Sequence, residues 1–151
     1  MTNGIATVIR DLTGGSPKRK GKLMPQDRDT GTEANQFGKR MALIVATRLG
    51  ARKVSSDGNE FELDGKRIAI HSAHKKNTYV AVLYNVLQRV DTVLAALELT
   101  VRDEFQVWAL DKAFYLSHSK PQIKNPDLAQ IATKVFTEHG KLIDKVTDSH
   151  S

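Results

Sequence analysis

Hydrophobic positions recur at helical spacing near the start of the chain. In "TEANQFGKRMALIVATRLGA" they lie three or four residues apart, which is typical of one face of an α-helix: Phe37, Met41, Ile44, Val45 and Leu49. Thr32 can cap the first turn, and Gly50 is a suitable stop. The pattern therefore predicts an amphipathic helix between these two residues.

The next segment, "NEFELDGKRIAIHSA", alternates apolar and polar residues around Asp64-Gly65. This dipeptide favours a two-residue hairpin turn, because both central positions can adopt positive φ. Pairing outward from the turn places Leu63 opposite Lys66, Glu62 opposite Arg67, Phe61 opposite Ile68 and Glu60 opposite Ala69. One face then carries Phe61, Leu63, Ile68 and Ile70, and we expect it to face the core. The other face carries Glu60, Glu62, Arg67, Ala69 and His71.

Four further elements follow from the pattern. Residues 79–97 carry a broad apolar stripe and predict a long helix: Val82, Leu83, Val86, Leu87, Val90, Val93, Leu94 and Leu97. "EFQVWAL" (104–110) alternates as a strand, and "DKAFYLSHS" predicts a short helix. "NPDLAQIATKVFTEHGKLIDKV" opens with an Asn-Pro helix start and predicts a helical segment up to Gly140. The order of elements predicts an α/β (α+β) fold, a small mixed β-sheet with a central hairpin flanked by helices.

Residues 1–31 are rich in glycine, proline and charge, which predicts a flexible basic N-terminal arm. Its basic cluster could track a nucleic-acid backbone or form a solvated linker: Lys18, Arg19, Lys20 and Lys22. Residues 32–146 are expected to form a single α/β domain, followed by a disordered tail at 147–151.

Composition narrows the class of protein. The chain has 151 residues, of which 40% are hydrophobic and 26% charged, as in one ordinary soluble domain. No apolar run is long enough to span a bilayer, and no secretory signal is apparent. The absence of cysteine excludes disulfides and thiolate zinc sites and fits a cytoplasmic protein. The net charge of +6 fits either a polyanionic partner or a merely basic surface.

The polar face of the hairpin is the first candidate for chemistry. Two acids beside a basic group could hold Mg²⁺ for phosphodiester hydrolysis. Glu62 opposite Arg67 is equally explained as a cross-strand ion pair. His71 and His74 have H-x-x-H spacing but no clear third ligand, so we do not expect a zinc site. His74-Lys75-Lys76 could face phosphate or form an exposed turn.

The helix carrying Glu33, then "GNEFELDGKRIAIHSA", then a long helix and another strand, resembles the PD-(D/E)xK, or restriction-endonuclease-like, superfamily over residues 32–140. The resemblance implies an acid on the helix, a first-strand acid and a second-strand D/E-x-K motif around Mg²⁺. Glu33 matches the helix acid, and Glu60 or Glu62 matches the first-strand acid. The second strand has Ala69-Ile70-His71 in place of the D/E-x-K triplet, so an acid and a permanent cation are missing.

The sequence therefore predicts a DNA-binding, restriction-endonuclease-like protein that is either a divergent Mg²⁺-dependent endonuclease or a nuclease-derived binding subunit. In the active version Glu60, Glu62 and His71 are catalytic, and Glu33, Glu60 and Glu62 hold the metal. DNA would be bound by basic residues of the arm, the hairpin and the following loop: Lys18, Arg19, Lys20, Lys22, Lys66, Arg67, His74, Lys75 and Lys76. The alternative is a non-catalytic interaction protein, an accessory factor or inhibitor, that dimerises through the helix at 79–97. A homodimer is expected in either case.

Overall fold

The computed structural model describes the backbone of residues 25–54 and 59–148, and the side chains of these residues from Asn35 onward. The elements, in chain order, are α1 (Pro25–Leu49), β1 (Arg52–Lys53), β2 (Glu60–Leu63), β3 (Lys66–Ala73), β4 (Tyr79–Leu83), α2 (Tyr84–Arg89), β5 (Thr92–Glu98), β6 (Glu104–Asp111), α3 (Lys112–His118), β7 (Lys120–Pro121), β8 (Leu128–Ala132), α4 (Thr133–His139) and β9 (Lys141–Thr147).

The strands described form two sheets. The larger has six strands in the order β1-β2-β3-β5-β6-β9, and the smaller has three in the order β4-β8-β7. Strands β3 and β5 are parallel, and their neighbours in the larger sheet pair antiparallel. The connection from β3 to β5 passes through β4 and α2. The predicted mixed sheet with a central hairpin and flanking helices is confirmed.

The register of the hairpin is as predicted from its turn. Glu60 pairs with Ala69, Phe61 with Ile68, Glu62 with Arg67 and Leu63 with Lys66. Asp64 and Gly65 have φ values of 54° and 83°, which is the positive-φ pair that a type I′ turn requires. Local turn chemistry is therefore sufficient to fix which side chains share a face.

The first hydrophobic core lies between α1 and one face of the larger sheet. Met41 and Val45 of the helix are fully buried against strand residues that include Phe61, Ile70 and Phe105. The predicted core face of the hairpin is thus confirmed. Burying side chains of this size contributes about 1.5–3 kcal/mol each to the hydrophobic stabilisation of the sheet.

The second hydrophobic core lies on the opposite face of the same sheet. Ala69 and Val93 are buried there together with Leu87, Tyr115 and Phe136 from the helices that cover this face. The face of the hairpin that carries the acids is therefore not a solvated strand face. Both faces of the central strands are packed, as expected when a crossover connection covers a parallel pair.

The long helix predicted at residues 79–97 is wrong. This segment forms β4, the short helix α2, and β5, whose residues from Val93 to Glu98 are all buried. A strand covered on both faces presents a continuous apolar run, and such a run matches helical spacing as easily as strand spacing. The helix that was to mediate dimerisation does not exist, so the homodimer stays a prediction with no surface assigned to it.

The strand predicted at 104–110 and the short helix after it are confirmed as β6 and α3. The Asp111 carboxylate caps α3 by accepting a hydrogen bond from the amide of Ala113 at 3.0 Å. The Asn-Pro segment does not start a helix. Asn125 accepts from the amides of Asp127 and Leu128 in a turn that leads into β8, and α4 starts only at Thr133. The predicted helical segment up to Gly140 is confirmed over Thr133–His139 only.

The ends of the described chain differ from the predicted boundaries. Helix α1 runs from Pro25, so Thr32 lies within it and the last residues of the predicted arm are helical. At the other end, Thr147 lies in β9 and the buried Asp148 pairs with Arg40 of α1. Within the described residues, no helix is long and apolar enough to cross a membrane.

Candidate nucleic-acid interface and the hairpin acids

Glu60 begins β2 and is 4% exposed, because its side chain points into the face of the sheet that α2 covers. Its carboxylate is bound by Arg89, the last residue of α2. Arg89 Nε donates to Oε1 at 3.2 Å, and Nη2 donates to Oε2 at 2.5 Å. One donor on each oxygen is the bidentate geometry that makes arginine a strong carboxylate partner.

Glu62 is half-buried and also has an arginine partner, Arg52 of β1, which lies opposite it in the register. The structure shows this ion pair with Arg52 in place of the expected cross-strand pair between Glu62 and Arg67. The backbone amide of Arg67 donates a hydrogen bond to the Asp91 carboxylate at 3.0 Å. Each of the two hairpin acids is therefore neutralised by an arginine from a neighbouring element.

Ala69 and His71, the two second-strand positions singled out by the sequence, supply little chemistry. Ala69 is fully buried and has no donor atom to offer. Burial lowers the pKa of His71 from 6.5 to about 4, so its imidazole is neutral at pH 7. His71 therefore cannot replace a lysine as a permanent cation.

The structure does not assemble the proposed metal ligands from the side chains that it describes. Among these residues there is no group of three or more His, Cys, Asp or Glu side chains that could hold a metal ion. The part of α1 that packs on the sheet, around Met41 and Val45, lies on the face opposite to Glu60. The side chain of Glu33 lies outside the described residues.

Basic residues gather at a different place, where the parallel strands β3 and β5 end. His74, Lys75 and Lys76 follow β3, and Arg102 lies in the turn after β5. An open cleft of about 520 Å³ lies between these two loops. We call it the strand-end cleft; it is lined by His74, Lys75, Lys76, Glu98, Thr100, Arg102 and Asp103. Ligands of open α/β sheets commonly bind outside the carboxyl ends of parallel strands.

Glu98, the last residue of β5, holds the two loops together. Its carboxylate accepts hydrogen bonds from the amides of Lys75 at 2.9 Å and Asp103 at 2.7 Å, and it lies 3.2 Å from His74 Nδ1. The amide of Asp103, then that of Lys75, lowers the pKa of Glu98, with His74 adding to the effect. The ionised carboxylate therefore fixes both walls of the cleft.

Helix α1 forms the remaining support of the strand-end cleft. The Phe37 ring stacks on the His74 imidazole with ring centroids 4.0 Å apart, and the Arg40 guanidinium lies 5.6 Å from the Phe37 centroid. Arg40 is itself held by Asp148 through two hydrogen bonds of 3.1 and 2.9 Å. His74 is thus held on one side by an aromatic ring and on another by the Glu98 carboxylate.

Among the described residues, those predicted to contact nucleic acid lie at the two ends of β3. Lys66 and Arg67 start β3, whereas His74 follows its end, and the eight residues of the strand span about 26 Å. The basic cluster at residues 18–22 lies outside the described residues. The part of the prediction that the structure brings together is the His74-Lys75-Lys76 segment.

Sequence reasoning missed Glu98 and Arg102. They lie in "LELTVRDEF", between two segments taken as a helix and a strand. Only the parallel pairing of β3 with β5, which places Ala73 beside Leu97, brings this turn to Lys75. One signal in the sequence could have identified this turn: two largely apolar runs, residues 93–97 and 105–110, lie on either side of a short segment that contains charged residues.

Comparison with known proteins gives little. No family model matches the chain, and no curated protein matches it. Among solved structures, the chain is similar to Hjc, a Holliday junction resolvase from the archaeal hyperthermophile Archaeoglobus fulgidus, with a TM-score of 0.41 and 11% identity. The similarity covers 72% of this chain and 91% of the resolvase chain.

Proposed function

We propose that the protein binds DNA by contacting backbone phosphates at the strand-end cleft, and that it does so without cutting. The observation that supports this most is the arrangement of Lys75, Lys76 and Arg102 on two loops that Glu98 ties together. All three side chains are exposed, and none forms an ion pair with another described residue. Such cations are available to replace the counterions of a phosphate backbone.

Glu98 does not cancel this charge on the outer surface of the cleft. It is 9% exposed, and donors from three residues surround its carboxylate. Its carboxylate is bound by these donors within the wall of the cleft, while the side chains of Lys75, Lys76 and Arg102 are exposed. The net charge of +6 also favours the approach of a polyanion.

The order of elements supports a nuclease-like ancestry for this binding function. The resemblance to PD-(D/E)xK enzymes rests on a helix followed by a hairpin and a later strand, and the chain has these elements as α1, the β2–β3 hairpin and β5. Phosphodiester hydrolysis is left out of the proposal because Ala69 and His71 supply neither the acid nor the cation of the motif. The N-terminal cluster and the hairpin pair Lys66 and Arg67 are proposed as secondary contacts to the same duplex.

The test is fluorescence anisotropy of the full chain with a labelled DNA duplex over a range of salt concentrations. We expect the triple variant Lys75→Ala, Lys76→Ala, Arg102→Ala to bind at least tenfold more weakly. The slope of log affinity against log salt should become shallower by about 0.9 for each phosphate that the variant no longer binds. The matched control removes three exposed cations elsewhere: Lys120→Ala, Lys124→Ala and Lys134→Ala.

Two results would contradict the proposal. Equal weakening in the cleft variant and the control would mean that total charge, and not the cleft, drives binding. Cleavage of supercoiled plasmid by the purified wild-type protein with Mg²⁺ or Mn²⁺ would show that binding is coupled to hydrolysis.

A further inference from the structure

The resemblance implies a divalent metal at the hairpin, and the donor set of this chain can be tested against it. A Mg²⁺ site needs several oxygen ligands with a negative net charge and near-octahedral geometry. Of the proposed ligands whose side chains are described, Glu60 and Glu62 both have an arginine partner, and Ala69 stands where a second-strand acid would add an oxygen. Glu60, Glu62 and Ala69 therefore do not provide the ligands that a Mg²⁺ ion requires.

The burial of Glu60 explains why a cation is needed there at all. The register of the hairpin directs its side chain into the core that contains Ala69, Leu87 and Val90. A buried carboxylate is strongly unfavourable unless a cation and hydrogen bonds compensate for its lost hydration. A partner that supplies both a positive charge and hydrogen-bond donors is therefore expected beside Glu60.

Arg89 is built into the fold as that partner. Leu87 and Val90, on either side of it, are each 1% exposed, so the end of α2 is fixed against the sheet. The guanidinium then places one donor on each oxygen of Glu60, while about half of the arginine side chain stays in solvent. A divalent ion approaching the same carboxylate would meet this fixed positive charge at close range.

Glu62 repeats the arrangement at the edge of the sheet. Arg52, its partner in the register of β1 and β2, supplies a second guanidinium. The two acids and two arginines carry a net charge of zero. In place of a carboxylate cluster that attracts a divalent ion, the hairpin has two closed ion pairs, one holding α2 and the other holding β1.

We infer that Arg89 is the resident cation of the hairpin, occupying the carboxylate that the resemblance would assign to Mg²⁺, and that the hairpin acids bind no divalent metal. The acids instead fasten α2 and β1 to the sheet. This inference concerns the opposite face of the sheet from the strand-end cleft and does not depend on DNA binding.

The experiment titrates the full-length wild-type protein with Mn²⁺ in the absence of DNA, following free Mn²⁺ by electron paramagnetic resonance. We expect no saturable binding that involves the hairpin. Either no saturable binding, or binding that persists in both Glu60→Gln and Glu62→Gln, agrees with the inference. Saturable binding that either substitution abolishes would overturn it.

A second measurement asks whether the arginine stands in for a metal ion. Arg89→Gln leaves the buried carboxylate without its cation, so we expect a lower melting temperature that millimolar Mn²⁺ partly restores, whereas Mn²⁺ leaves the wild type unchanged. A melting temperature equal to that of the wild type would contradict the role given to Arg89. If Arg89→Gln does not fold, Arg52→Gln gives the same comparison at the more exposed pair. The titration of the wild type requires neither variant.

Discussion

Lowering the pH from 7 to 4.5 is expected to destabilise the protein through His71. Burial lowers the pKa of this imidazole to about 4, whereas an unfolded chain protonates it near 6.5. Between these values the unfolded state binds the proton and the folded state does not. The contribution of His71 to stability is therefore complete above pH 6.5, falls as the pH falls, and reaches its lower limit near pH 4.

The size of the effect follows from the two pKa values. The difference between 6.5 and about 4 corresponds to about 3 kcal/mol of unfolding free energy, of which about 2 kcal/mol is lost by pH 4.5. With a urea dependence of about 2 kcal/mol per molar, the denaturation midpoint should fall by roughly 1 M. Hydrogen bonds lower the pKa of Glu98 and Asp144, so these groups stay ionised through most of the window.

The assay is urea denaturation at pH 7 and pH 4.5, followed by the fluorescence of Trp108, the only tryptophan of the chain. His71→Gln removes the titrating group and should lose most of the pH dependence. His139→Gln removes an exposed histidine and should behave like the wild type. An equal fall of the midpoint in the wild type and in His71→Gln would refute the reasoning, because the pH dependence would then arise elsewhere.

Three further substitutions test the contacts that position the strand-end cleft and the second core. Glu98→Gln weakens the acceptor of two backbone amides and should cost about 2 kcal/mol at pH 7. Because the pKa of Glu98 is lowered in the folded protein, this deficit should shrink in urea denaturation as the pH falls below the unfolded value of 4.5. Tyr115→Phe removes the buried hydroxyl that donates to the Ala129 carbonyl at 2.7 Å, and calorimetry should show a loss of about 1–2 kcal/mol. Asp148→Asn weakens its two hydrogen bonds with Arg40 and should lower the urea midpoint by an amount equivalent to about 1–2 kcal/mol.

Each of the three has a result that would contradict it. Glu138 is exposed, so Glu138→Gln should leave both stability and DNA affinity unchanged, and a Glu98→Gln variant that behaves in the same way would remove the role given to Glu98. A Tyr115→Phe protein as stable as the wild type would mean that the hydroxyl gains nothing over its hydration in the unfolded chain. An unchanged midpoint in Asp148→Asn would mean that the pair with Arg40 contributes nothing to stability.

Local signals in the sequence were sufficient for the elements that local chemistry determines. Asp64-Gly65 fixed the hairpin register, and the alternation in "EFQVWAL" identified β6, because both depend on residues close together in the chain. The segment at 79–97 failed because β5 is buried on both faces. Its side chains are apolar because helices pack on both faces of this strand, and those helices are formed largely by residues far away in sequence.

The candidate sites could be predicted only in part for the same reason. His74, Lys75 and Lys76 are adjacent, so a basic segment was visible, but its partners Glu98 and Arg102 are brought to it by strand pairing. The pairing of Glu60 with a residue 29 positions away had no signal in the pattern of the hairpin. The departure of Ala69-Ile70-His71 from the expected triplet was visible in the sequence, and the arginine partners of Glu60 and Glu62 were not.

The positions of the two sites indicate that the phosphate contacts proposed at the strand-end cleft do not depend on the hairpin acids. The side chains of β5 alternate between the two faces of the sheet. Glu98 lies on the same face as Leu94, which packs in the α1 core, whereas Val93 lies on the other face, which also carries Glu60. The two carboxylates therefore lie on opposite faces of one sheet, separated by about 16 Å along the strand as well. A phosphate held at the strand-end cleft would not reach a nucleophile activated at Glu60. The binding proposed at the cleft therefore requires no cutting at the hairpin, and the ion pairs of Glu60 and Glu62 with their arginines do not interfere with it.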